Sequence, residues 1–196
     1  MNSTKLQILN NAYRLFLSDN IEKVTISRLE EATQRVRGAI FYHFESKQKI
    51  FESVVNEMFL PSFQLSSKII DSAHNSSLEI FIETYKCPEE RVISQIKDIF
   101  NMEDAEICYN NLFSQAYRYC PDFKHKYKEV LNDDLFLWKT ALQKAKKDST
   151  QTECEIEKAA SMLMFAATGI ALKKQYFQTG IKREDLLVEF CLYLLK

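Results

Sequence analysis

The chain has 196 residues, a net charge of −1, 12% aromatic residues, and only three glycines and three prolines. That length supports one large domain or a small domain joined to a mid-sized one. So few glycines exclude the glycine-rich phosphate cradles and the nucleophile elbow, and so few turn-formers argue against a sandwich or barrel of short strands. Near-zero charge over the whole chain argues against a general nucleic-acid coat protein.

The five cysteines, Cys87, Cys108, Cys120, Cys154 and Cys191, are odd in number and lack a C-x-x-C pair. They are expected to be buried, reduced thiols of a cytoplasmic protein rather than a disulfide framework. The N-terminal stretch carries charges and amides through its apolar residues and does not read as a signal peptide. The longest uncharged run, Ala159–Leu172, is too short to cross a bilayer, so no membrane association is expected.

Apolar residues recur at helical spacing almost throughout. Leu9, Ala12, Tyr13 and Phe16 mark the buried face of a first helix, which pauses at residues 18–20. Thr25 suits the N-cap of a short helix carrying Ile26 and Leu29 inward. A break at residues 33–36 precedes another short helix ending near His43. Ser46 suits the cap of a fourth helix showing Ile50, Phe51, Val54 and Met58 on one side, with a kink or break expected at Pro61. Ser76-Ser77-Leu78-Glu79 reads as a capping box opening a segment to Tyr85. Pro88 suits the first turn of a helix to about Phe100. Further helices are expected over 104–120, 122–147, from a second capping box at Thr152–Glu155 to about Phe177 with a stop at Gly180, and over 184–195. The fold class is all-α: an N-terminal three-helix helix-turn-helix domain over residues 1–47 and a helical bundle over 48–196.

Charge is unevenly spread. Residues 1–50 hold eight Lys/Arg against five Asp/Glu, a balance of +3, whereas residues 51–196 hold 18 against 22, a balance of −4. Arg35, Arg37, Lys47 and Lys49 stand against one acid, Glu45, over the same stretch. Two short helices across a tight turn, preceded by an amphipathic helix, make a helix-turn-helix, and the basic excess lies where a phosphate backbone would be met.

The residues Ile8-Leu9, Leu15-Phe16, Thr25-Ile26, Leu29, Arg37-Gly38-Ala39-Ile40-Phe41-Tyr42-His43-Phe44 and Ser46-Lys47 resemble the N-terminal domain of the tetracycline-repressor (TetR) family of bacterial transcription regulators. The resemblance covers roughly the first 50 residues. It implies that the helix near Arg37–His43 lies in the major groove of double-stranded DNA. Arg37 would reach base edges, with Thr25, Phe41, Tyr42, His43 and Lys47 at phosphates or the groove wall. Gly38 would permit close approach, and Arg28, Arg35 and Ala39 complete the expected DNA-binding set. Three positions depart from the family pattern. Gln34 stands where glycine is common in the turn, Val36 replaces a capping serine, and Phe41 replaces a phosphate-binding tyrosine.

The resemblance further implies a C-terminal bundle with a small-molecule pocket and a homodimer interface built by the last two helices. Small residues in the helix from Glu153 and a broad apolar face on the final helix agree with a four-helix interface, expected to use Ala160, Ala167, Ala171, Leu187, Phe190 and Leu194. Phe100, Phe113, Tyr117, Trp138 and Phe165 are expected to line the effector pocket. His43, His74 and His125 form no catalytic or metal-binding spacing, so neither enzyme activity nor a cofactor is expected. The expected function is a repressor released from a palindromic operator by a small molecule. The alternatives are a nucleoid or division-associated DNA-binding protein without an inducer, and a small-molecule-binding protein without DNA binding.

Overall fold

A computed structural model describes residues 3–145, 152–173 and 182–194. Regular structure among these residues is helical, without strands. The expected stop at Gly180 and the ends of the helices near Lys147, Phe177 and Leu195 lie outside the described residues.

The first helices form as their caps dictate. Helix α1 (Ser3–Ser18) buries Ile8, Leu9, Ala12, Tyr13, Phe16 and Leu17. Helix α2 (Ile26–Thr33) starts where Thr25 accepts the Arg28 N–H, and α3 (Arg37–His43) follows. Helix α4 (Lys47–Val54) is capped by Ser46, which accepts the Lys49 N–H. The break expected near Pro61 begins earlier: a π-helical turn at Val55–Phe59 and a 3-10 turn at Leu60–Phe63 end the run.

A separate helix, α5 (Ser67–Asn75), then forms behind a Ser66 cap. The box expected from Ser76 is displaced by one residue. Ser76 instead closes α5, and Ser77 caps α6 (Leu78–Thr84) by accepting the Ile80 N–H. Helix α7 (Pro88–Phe100) begins at its proline, α8 (Ala105–Tyr119) stops before Pro121, and α9 (Phe123–Ala145) carries Trp138. The second box forms in full. The Thr152 N–H donates to Glu155 and the Glu155 N–H to Thr152, opening α10 (Glu153–Lys173). Helix α11 (Arg183–Leu194) closes the described chain.

Contacts divide the chain into residues 1–62 with 92–127 and residues 63–91 with 128–196. The boundary expected after residue 47 therefore falls inside the first unit. The reason is packing: α4 buries Ile50, Phe51 and Val54, and Phe51 meets Phe16 of α1 edge-on at 5.0 Å. A cut at residue 47 would split that core. In the second unit, Phe81, Tyr85, Trp138, Leu142, Leu163 and Leu187 belong to one buried cluster.

The cysteines divide in the same terms. Cys87, Cys120 and Cys191 are buried, Cys108 is intermediate, and Cys154 is exposed rather than buried. Burial raises the Cys120 and Cys191 thiols to about 12 and raises Cys87 further, so these three stay protonated and weakly reactive at neutral pH.

Candidate nucleic-acid interface

The turn between α2 and α3 is made by Gln34 in the left-handed region, φ 52° and ψ 36°, with its N–H bonded back to α2 carbonyls. A non-glycine residue there costs roughly 1–2 kcal/mol, and the helix end it satisfies offsets part of that. Val36 supplies no side-chain cap to α3. Glu30 of α2 does the work from a distance, its Oε1 accepting the Arg37 N–H at 2.6 Å. No local pattern links residues 30 and 37, and the sequence reading missed this pairing.

Of the α3 residues, only Ile40 is fully buried; Phe44, just beyond, is also buried. These two hold the helix to the core. Arg37, Gly38 and Tyr42 are exposed, while Ala39, Phe41 and His43 are half-buried. The Arg37 guanidinium lies 5.4 Å from the centre of the Phe41 ring. Phe41 thus supplies a face that limits the rotamers of the arginine. Tyr42 is 83% exposed and its ring meets His43 edge-on. Thr25 and Arg35 are also exposed, and Arg35 donates to Gln7 of α1. Val36, absent from the expected set, is 73% exposed.

Two expected contacts are engaged within the protein. Arg28 forms an ion pair with Asp19 at 2.6 Å. Lys47 donates to the Ile21 carbonyl at 2.6 Å, leaving two ammonium N–H groups for other acceptors. Both therefore fix the segment between α1 and α2 as well as carrying charge.

That segment is braced from α8. The Ile21 N–H donates to Gln115 Oε1 at 2.5 Å, while Gln115 Nε2 donates to the Phe16 and Asp19 carbonyls. Asn111 adds a bond to the Leu17 carbonyl, and the Tyr119 hydroxyl donates to Glu22. Gln115 is buried, so each bond it makes also avoids the cost of an unpaired amide. These contacts fix where α2 begins, and hence where Thr25 stands.

The residues expected to line an effector pocket do not gather. Phe100 meets Tyr13 edge-on, and Phe113 packs on Tyr109, Phe123 and Tyr127. Tyr117 is 52% exposed, Phe165 is 65% exposed, and Trp138 is fully buried against Phe81 and Tyr85. A cavity of about 470 Å³ lies instead among Phe63, Gln64, Leu65, Ile70, His74, Val130, Asp133, Asp134, Phe136 and Leu137, and includes none of the five. Aromatic identity thus separated neither core from surface nor lining from packing: of the five only Trp138 is fully buried, while Phe100 and Phe113 are half-buried.

The expected dimer residues fall into two groups. Ala160, Ala167 and Leu187 are buried within their own protomer, where small side chains let α10 pack closely. Ala171, Phe190 and Leu194 lie partly buried against that core. The exposed large apolar residues of these helices are Met162 and Phe165 on α10, and Leu186, Leu192 and Tyr193 on α11. Among the described residues no cluster of three His, Cys, Asp or Glu fit to hold a metal ion is present, and no helix is long and apolar enough to cross a membrane.

The family model for bacterial regulatory proteins, tetR family, matches residues 8–54. The transcriptional repressor AcnR of Corynebacterium efficiens is 44% identical over 55 residues, which are 28% of this chain and 29% of that protein. The matched segment thus spans less than a third of such relatives. The repressor BepR of Brucella suis is 23% identical over 189 residues, 94% of this chain and 85% of that protein. Among solved structures, reduced Escherichia coli NemR aligns with a TM-score of 0.58 at 13% identity, over 98% of this chain and 96% of that one. The complex of SmeT with triclosan aligns with a TM-score of 0.56 at 16% identity, over 98% and 91%. Both share the fold.

Proposed function

We infer that this chain, a member of the tetR family of bacterial regulatory proteins through residues 8–54, is a ligand-responsive transcriptional repressor that binds a palindromic operator as a homodimer in the cytoplasm. The observation that carries the reading is the exposed surface of α3: Arg37, Gly38 and Tyr42 face outward while Ile40 anchors the helix. Arg37 can bond guanine O6 and N7 together, worth roughly 1–3 kcal/mol of discrimination. The basic first 50 residues supply sequence-independent attraction to phosphate, and the acidic remainder confines binding to that surface.

Dimerisation is assigned to the exposed stripe of α10 and α11. A two-fold reader of a palindromic operator needs its two α3 helices one helical turn of DNA apart, roughly 34–36 Å. The cavity of about 470 Å³ falls within the usual size of small-molecule sites, roughly 300–1,000 Å³, and is our candidate for the effector. Its occupation would shift α4, whose π-helical continuation departs from regular helix bonding, a feature frequent at functional sites. The separation of the two α3 helices would then no longer fit the operator. The ligand's preference between the two states limits the effect.

A binding selection from random DNA with purified protein tests the reading. A palindromic consensus is expected. Arg37→Ala should relax preference at one base pair per half-site. Lys47→Ala should weaken all sequences alike and lower the salt slope by about one unit. Recovery of no sequence preference at moderate salt defeats the assignment.

A further inference from the structure

Val36 contributes little to the core, since the residue is 73% exposed. Its position is the N-cap of α3, where serine, threonine, asparagine or aspartate ordinarily satisfies the first N–H groups. No side chain of residue 36 does so here, and Glu30 Oε1 accepts the Arg37 N–H instead. Capping has passed to another helix, which leaves position 36 open to an apolar, β-branched side chain in contact with water. Ala39, three residues on, is half-exposed. The Ala39 N–H donates to the Val36 carbonyl at 2.9 Å, so Val36 and Ala39 lie close together and make a small apolar strip beside the exposed Arg37.

The major groove of B-DNA offers one apolar group at its base edges, the C5-methyl of thymine. We propose that Val36 reads a thymine methyl on the base pair neighbouring the one read by Arg37, so that each half-site carries a required thymine. The inference rests on the DNA-reading role of α3. It adds a second specificity determinant, of apolar chemistry, to the hydrogen-bonding one.

The test uses the full-length protein and a site recovered from random DNA. Each thymine of that site is replaced in turn by deoxyuridine, which lacks only the methyl. One position per half-site is expected to weaken wild-type binding about fourfold, the value of one buried methyl-sized group. Val36→Ala should bind the thymine and uracil sites equally. Val36→Ser should lose the same sensitivity while its Tm stays at or above wild type, because it regains a capping hydroxyl; this separates lost readout from misfolding. The inference is overturned if no uracil position affects the wild type, or if Val36→Ala remains equally sensitive. A wild-type protein that recovers no site overturns the DNA-reading role and the inference together, so the two failures are told apart.

Discussion

Gly38 separates the demands of the fold from those of the groove. A Cβ placed there would meet nothing within 4 Å, so packing does not require glycine, and within a helix glycine costs about 0.5–1 kcal/mol relative to alanine. The residue is therefore a local loss to stability that close approach to DNA would offset. Gly38→Ala is expected to raise Tm by a few degrees, yet weaken operator binding at least severalfold in a titration. If affinity is unchanged, the backbone does not approach DNA at this point. Gln34 also costs stability, since its left-handed conformation is one that glycine adopts freely, but its offset is structural: its N–H closes the end of α2. The Thr25 cap was legible because it follows from one residue type in one local setting, whereas the left-handed turn at Gln34 came only from the family resemblance, since glutamine does not itself signal a left-handed residue. The Glu30 cap was not, because it joins residues seven apart across a turn.

Helix α10 shows where local pattern becomes ambiguous. Its alanines signalled close approach of another backbone, and such approach occurs, but within the protomer: Ala159, Ala160 and Ala167 are buried among Trp138, Leu163 and Leu187. A sequence states that a face is small and apolar; it does not state whether the covering surface belongs to the same chain. The proposed interface is therefore assigned to the residues left outside. Met162, Phe165, Leu192 and Tyr193 are exposed, and Met162, Phe165 and the exposed Gly169 recur at intervals of three or four along α10, so they share one face. Replacing Phe165 or Leu192 by Asp should yield a folded monomer in analytical ultracentrifugation, with the helical circular dichroism of the parent. Leu187→Ala removes interior contacts and should cost about 2–5 kcal/mol of stability without a direct effect on assembly. If both Asp variants remain dimeric, the interface lies elsewhere. At this scale ten of the eleven described α-helices and most of their caps were legible, whereas α5 was hidden behind the turns at residues 55–63.

At the scale of the molecule, the second unit is held by an ionic cluster that no periodicity announces. Arg91 meets Asp134 through two bonds of 2.7 and 2.9 Å, and also donates to the Phe63 and Lys86 carbonyls. The Tyr85 hydroxyl donates to Asp134 at 2.7 Å, and Arg183 ties α11 to Glu90 and to the Tyr85 carbonyl. Apart from the bond to the Lys86 carbonyl, these contacts join residues 28 to 98 positions apart, so no local pattern announces them. Burial pushes the Asp134 carboxyl upward, and the bonds to Arg91 act against it. Arg91→Met removes the opposing charge and leaves a buried carboxylate uncompensated, at a cost of about 3–5 kcal/mol near neutral pH. The variant's Asp134 then keeps its proton above the pH at which the unfolded chain loses it. The folded state thus binds more protons in that window, and stability falls as pH rises through it. Chemical denaturation of Arg91→Met at several pH values should accordingly show its deficit against wild type shrinking on acidification towards the ordinary carboxylate range. Adding Asp134→Leu should remove that pH dependence and restore much of the loss, because an apolar pair of similar volume needs no desolvated charge. A deficit that does not vary with pH would mean that Arg91 acts mainly through its bonds to the Phe63 and Lys86 carbonyls.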